Sequence, residues 1–360
     1  MRRHMKYKSS MFLLFAATLL GGLSTSWTIA QNAPAGAGSG IANQNKIVVP
    51  DPSWNCGMAE GIPNPENGTL VFEAQIGLDR VLNVGKTPYG DRRVAVSREG
   101  SVSGTTLSGT VTSGALDFEL KLPNGVIEIE QILVFKTSEG KYIYARSAGV
   151  GADSTDVRVV MDFEAPNASD SAWLNSGKYV ARRILNAETK TLLLRVYDVS
   201  TVAIPSGNNV IRISRPPDVP AQLWDYRKKT AGEKQGSELI TETVTLSPSL
   251  SVGPSKRGNR NIIPITGGEL SGRISGKVLA GGADYQNLSP PATIDARYLW
   301  QTNDGEIILV RNAGPFGALV PTFEVRTDSP YAWLNRGTYL SSNPGMKPGG
   351  VGITMYDSVR

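Results

Sequence analysis

One cysteine and one histidine are all that the 360 residues contain, and each shortage narrows what the chain can do. The histidine, His4, lies in an N-terminal stretch that reads as an export signal, so a processed chain has none. Ser-His-Asp and Cys-His nucleophiles, histidine-containing zinc sites and imidazole proton shuttles are thereby excluded. Cys56 has no partner for an intramolecular disulfide or a thiolate metal cluster. Nothing near it in sequence would activate its thiol, which points to a packed or idle side chain. No metal and no cofactor is expected. Helical periodicity and long apolar runs beyond the N-terminus are also missing, as is a clustered basic surface. Lys228-Lys229 and Lys256-Arg257 are short pairs suited to solvated loops, so no nucleic-acid partner is expected.

At the N-terminus, Arg2, Arg3, Lys6 and Lys8 precede an apolar run over residues 11–20, and Thr28-Ile29-Ala30 offers small residues for cleavage. The run is shorter than the ~20 residues a bilayer span needs. Residues 1–30 therefore read as a signal peptide rather than an uncleaved anchor, and the chain as exported, periplasmic or extracellular, with no integral span after cleavage. Those residues carry four basic and no acidic side chains, leaving 33 Lys plus Arg against 32 Asp plus Glu in the rest. The basic character of the whole chain is largely that of its signal.

Residues 31–65 are rich in Gly, Ala, Asn and Pro and read as a flexible leader. From Thr69 onward short alternating runs appear, such as Val126-Ile127-Glu128-Ile129-Glu130, Lys141-Tyr142-Ile143-Tyr144 and Leu192-Leu193-Leu194-Arg195-Val196-Tyr197. Period-two patterning broken every eight to twelve residues by Gly, Asn or Pro predicts an all-β, antiparallel architecture. Residues 201–236 read as a linker with one short helix around 221–229.

The chain also repeats itself. Ser108-Gly109-Thr110-Val111 recurs as Ser275-Gly276-Lys277-Val278, and Asp117-Phe118 as Asp284-Tyr285. Glu128 aligns with Asp295, Arg146-Ser147-Ala148-Gly149 with Arg311-Asn312-Ala313-Gly314, and Phe163-Glu164 with Phe323-Glu324. Ala172-Trp173-Leu174-Asn175 matches Ala332-Trp333-Leu334-Asn335, and Tyr197-Asp198 matches Tyr356-Asp357. One order, with an offset drifting only from 167 to 159, indicates duplication of a single domain over residues 66–200 and 237–360.

These markers resemble the bacterial and fungal family called domain of unknown function 3237, with Tyr331-Ala332-Trp333-Leu334-Asn335 as the most specific piece. The resemblance implies two tandem antiparallel up-and-down β-barrels of about eight strands each, and little about activity. The second copy fits better: it keeps Asp295, Arg297 and Tyr298, where this alignment gives the first copy Glu128, Glu130 and Gln131. Asp284-Tyr285 stands where the family has aspartate-tryptophan, and Ser289-Pro290-Pro291 replaces its Asp-Gly turn.

On a strand, Asp295 and Arg297 share one face and Ala296 and Tyr298 the other. If the charged face looks into the second barrel, Asp284, Asp295, Arg297 and Arg311 form a polar floor with Trp333 and Tyr285 as walls. If it looks outward, the same residues form a structural ion-pair network. Trp173-Leu174-Asn175 and its repeat fit fold maintenance better than ligand contact. The expected function is binding of a small, partly aromatic or anionic molecule in the second barrel. Two alternatives stand beside it: a cofactor-free isomerase, cyclase or lyase using Asp284 or Asp295 with Arg297 or Arg311, and an envelope scaffold without a ligand. Protein partners are not indicated.

Overall fold

The computed structural model describes residues 47–49, 58, 60–151, 156–203, 210–212 and 225–360. The expected signal peptide, and most of the expected leader, lie outside those residues. A short strand β1 (Ile47–Val49) pairs in parallel with β11 (Val210–Arg212). The helix expected around 221–229 is not formed over residues 225–229, and its first four residues lie outside the described set. There the Arg227 guanidinium and the Thr230 N–H both donate to Glu233, and Arg227 also donates to the Tyr339 carbonyl, which holds the segment as a turn against the second barrel.

The first barrel comprises β2 (Thr69–Thr87), β3 (Gly90–Ser103), β4 (Gly109–Val111), β5 (Leu116–Lys121), β6 (Ile127–Thr137), β7 (Tyr142–Gly151), β8 (Asp156–Glu164), β9 (Tyr179–Asn186) and β10 (Thr191–Asp198). Each strand pairs antiparallel with its neighbours, β4 and β5 together fill one position between β3 and β6, and pairing of β2 with both β3 and β10 closes an eight-position barrel. Period-two sequence is what closes it: Phe72, Ala74, Ile76 and Leu78 point inward from β2, and Leu192, Leu194 and Val196 from β10, all buried in one cluster.

The second barrel repeats the plan with β12 (Lys234–Leu246), β13 (Leu250–Ser255), β14 (Gly258–Gly272), β15 (Gly276–Val278), β16 (Ala283–Asn287), β17 (Thr293–Thr302), β18 (Ile307–Pro315), β19 (Val320–Glu324), β20 (Tyr339–Ser341), β21 (Gly345–Lys347) and β22 (Gly350–Val359). Its sheet runs from β19 through β18, β17, β15, β14, β12 and β22 to β20, and the Ser341 N–H donates to the Leu319 carbonyl across the remaining seam. The all-β expectation of two antiparallel up-and-down barrels thus holds.

The Ala-Trp-Leu-Asn repeat forms a 3-10 helix in each copy, Ala172–Asn175 and Ala332–Asn335. Asn175 binds both the N–H and the carbonyl of Ala165, and Asn335 does the same to Val325, so each asparagine braces the chain just after β8 or β19. Tyr179 and Tyr339 donate to the Trp173 and Trp333 carbonyls. A Cβ at Gly177 or Gly337 would overlap those tyrosine rings, which is why a glycine follows the asparagine by two in both copies.

The barrels dock on a third hydrophobic cluster drawn from both: Val84, Val94, Leu116, Phe118 and Ile132 of the first, with Val252, Ile262, Leu279, Tyr285 and Leu299 of the second. The docking is pseudo-twofold. Arg92 of the β2–β3 arm reaches Glu324 of the second barrel, and Arg260 of the β13–β14 arm reaches Glu164 of the first. Thr87 and Ser255 donate to the same two glutamates. Backbone bonds repeat the symmetry, Thr327 N–H to Lys86 O and Asn167 N–H to Pro254 O.

Candidate functional site

Inward and outward faces of β17 decide where its charges go. Ile294, Ala296, Tyr298 and Trp300 belong to the core of the second barrel, so Asp295, Arg297 and Leu299 face out, toward the first barrel. Arg311 lies on the outward face of β18, directly opposite Arg297. Asp295 receives a two-pronged bond from Arg311, 2.8 Å at each oxygen, and longer contacts of 3.3 Å from Arg297. Arg297 then crosses the interface to Glu130 at 2.7 Å, and Arg146 closes on the same glutamate at 2.6 and 2.8 Å. Burial by itself would raise the Glu130 carboxyl, but Arg146, Arg297 and Arg311 outweigh it and bring it down to about 2. For Asp295, too, burial pushes upward and Arg297 with Arg311 prevails, holding it well below the usual carboxylate range.

The register corrects the repeat alignment. Arg146 stands opposite Ile132 and Arg311 opposite Arg297, so Glu130, not Glu128, is the counterpart of Asp295, and Ile132 and Leu133 are those of Arg297 and Tyr298. The first copy has thus kept its carboxylate, and the second differs by having an arginine where the first has isoleucine. A two-residue slip preserves strand parity, which is why sequence alone admitted either alignment.

Of the remaining predicted residues, Tyr285 faces out and its hydroxyl donates to the Gly114 carbonyl of the first barrel. Trp333 caps the second core with the Arg273 guanidinium 4.4 Å from its ring. Asp284 shares neither location: Gln286 donates to its Oδ2, its buried Oδ1 has no hydrogen-bond partner, and burial raises the group to about 7. The six residues therefore do not converge on one floor.

Two interior sites escaped the sequence reading. In the first barrel Asp117, the counterpart of Asp284, is gripped by Arg183 at 2.8 Å from both Nε and Nη2 and by Gln131 at 2.6 Å, and Ser147 donates to Gln131. Arg183 and Asp117 are both buried. Above them opens a cavity of about 320 Å³ whose rim carries the Arg93–Glu119 pair and whose walls include Leu78, Val81, Ala95 and Leu185. In the second barrel Glu242 accepts from the Tyr298 hydroxyl at 2.5 Å and from Trp300 Nε1 at 2.8 Å, and burial raises it to about 7 against those two bonds. Register gives Ala74, Leu133 and Phe135 as the first-barrel counterparts, all apolar. An acid at the inward position between Ile240 and Val244 was the available signal for Glu242.

Fold and sites together define a tandem β-barrel protein whose copies share a buried polar interface while each keeps its own interior. The chain belongs to the family described as Protein of unknown function (DUF3237), whose model matches residues 67–202 and 237–318, more than half the sequence. It is 39% identical over 95 residues to a UPF0311 protein of Bradyrhizobium diazoefficiens, covering 26% of this chain and 62% of that one. It is 35% identical over 86 residues to a UPF0311 protein of Clostridium acetobutylicum, covering 23% and 54%. The chain thus spans between half and two thirds of the length of these relatives. Among solved structures, a protein of unknown function from Clostridium acetobutylicum aligns with 22% identity and a TM-score of 0.33, covering 36% of this chain and 96% of that one. A β-barrel-like protein from Acinetobacter baumannii aligns with 19% identity and a TM-score of 0.32, covering 36% and 94%.

Proposed function

We propose that the protein is an exported binding protein that takes a small anionic molecule with an apolar body in the mouth of its first barrel. The observation that carries this reading is the cavity of about 320 Å³ set over a buried, hydrogen-bonded Arg183–Asp117 pair, a size in the range of small-molecule sites. Arg80, Arg93, Arg183 and Lys190 line it against Asp117 and Glu119, four basic groups to two acidic, which favours an anion. Leu78, Val81 and Leu185 supply the apolar walls. In the second barrel, where the sequence pointed, the corresponding Asp284 takes its hydrogen bond from Gln286 and not from an arginine, so the weight moves to the first. Export is supported by the basic and apolar pattern of residues 1–30.

Native mass spectrometry of the chain purified from its own cells tests the reading. Wild type should carry a small-molecule adduct that Leu185→Trp, which fills the cavity without breaking an ion pair, loses. A bare wild-type mass, or an adduct that survives Leu185→Trp, would count against it. Cofactor-free proton transfer is a second reading, supported by the buried, half-satisfied Asp284 raised to about 7. Conversion of the co-purified compound by wild type but not by Asp284→Asn would select it.

A further inference from the structure

We infer that the groove between the two barrels is a second ligand site, built for a short-chain monocarboxylate. The groove holds about 120 Å³ and is bounded by Tyr89, Arg92 and Phe118 of the first barrel and by Leu309, Thr322 and Phe323 of the second, with the 225–227 segment alongside. Its floor is made by Glu130, Arg297 and Arg311 of the ion cluster described above together with the Arg92–Glu324 pair.

Two independent features of that floor call for an anion. The first is an unused donor. Arg92 is 2% exposed and lines the groove; its Nε donates to Glu324 at 3.0 Å, but its Nη2 is buried with no hydrogen-bond partner. A guanidinium nitrogen withdrawn from water and left unpaired is costly unless something binds it. The second is charge. Arg92, Arg297 and Arg311 line the groove beside Glu130 and Glu324, three cations to two anions, and behind that lining the charges of Arg146 and Asp295 cancel. Around it, Arg227 is paired with Glu233, Arg260 with Glu164, and Asp225 is exposed to solvent at the groove's edge.

A surplus of one positive charge matches a monoanion; a phosphate dianion would overshoot it beside Glu130 and Glu324. The volume equals roughly four water molecules at about 30 Å³ each, enough for a carboxylate bearing one or two carbons. Phe118, Leu309 and Phe323 would receive those carbons while the carboxylate meets Arg92. The arrangement needs both barrels. The first copy has Ile132 where the second has Arg297, so the surplus arises only in the tandem chain.

Calorimetric titration of the full chain with sodium propionate, and separately with inorganic phosphate, tests this. Propionate should give saturable heat at one site per chain, and phosphate none at the same concentrations. Arg92→Gln should weaken propionate binding at least roughly ten-fold, the loss expected for a charge-assisted bond. Thr322→Phe, which fills the groove without touching an ion pair, should abolish binding and keeps the test decisive if Arg92→Gln unfolds. Leu185→Trp, in the mouth of the first barrel, should leave propionate binding unchanged, so the two sites fail separately. Absence of saturable propionate heat, equal binding of phosphate, or binding that survives both groove substitutions would overturn the inference.

Discussion

Replacing Asp295 by alanine should lower the stability of the chain by about 3–5 kcal/mol, read as a shift of the urea unfolding midpoint. The size follows from what is left behind. Arg311 loses both of its 2.8 Å bonds and Arg297 its two longer ones, so the guanidiniums of Arg146, Arg297 and Arg311 keep one of the two carboxylates set between them in the docked interface. The substitution that copies the first barrel, Arg297→Ile, should cost less than half as much, because it leaves Glu130 with Arg146 and Asp295 with Arg311. Glu73→Ala breaks the Arg195–Glu73 pair, whose side chains are 37% and 39% exposed, and should cost no more than about 1 kcal/mol. If all three variants unfold at the same urea concentration, the cluster is not the buried junction described.

Glu242→Gln should stabilise the protein by roughly 3 kcal/mol at pH 8 and by almost nothing at pH 4. Burial lifts the Glu242 carboxyl from 4.5 to about 7, despite the bonds from Tyr298 and Trp300 that favour its ionised form. Between those two values the folded chain holds a proton that the unfolded chain has released. Wild-type stability therefore falls as pH rises through that window, and the lost amount, at 1.36 kcal/mol per pH unit, is roughly 3 kcal/mol. Glutamine has nothing to release: its oxygen can accept from Trp300 and its amide can donate to the Tyr298 oxygen. Asp284, raised from 3.8 to about 7, acts in the same direction and leaves a residual slope in the variant. A stability difference that stays constant from pH 4 to 8 would mean that Glu242 titrates as an ordinary carboxyl. The opposite sign applies to Glu130, lowered from 4.5 to about 2, whose contribution is full above that window and is lost as pH falls through it.

Period-two alternation and duplication make the fold legible in the sequence: Leu192, Leu194 and Val196 alternate with outward residues as their order implies, and both Trp-Leu-Asn segments form the same brace. What alternation lacks is a label for which face is the core. Asp295 and Arg297 share a face in either case, and only the docking of a second barrel makes the outward face a buried one. The role of Glu130, and with it that of Arg146 on the same carboxylate, was hidden for the same reason, since Arg297 is 167 residues from Glu130 in sequence. Phe163-Glu164 and Phe323-Glu324 stood out as repeat markers. Their meaning, an arginine from the opposite barrel on each glutamate, depends on a pseudo-twofold arrangement that a one-dimensional repeat does not encode. The Arg183–Asp117 floor went unread because position 183 has no arginine counterpart in the second copy, so repetition pointed away from it.

That two copies of one barrel dock through their charged outer faces is most directly tested by a double-mutant cycle on Glu130 and Arg297. The pair is one residue from each barrel, 2.7 Å apart. Unfolding free energies of wild type, Glu130→Gln, Arg297→Met and the double variant should give a coupling on the order of 1–3 kcal/mol, as for residues in direct contact within one network. Effects that add to within about 0.5 kcal/mol would mean the two side chains do not meet, and would contradict the docked arrangement.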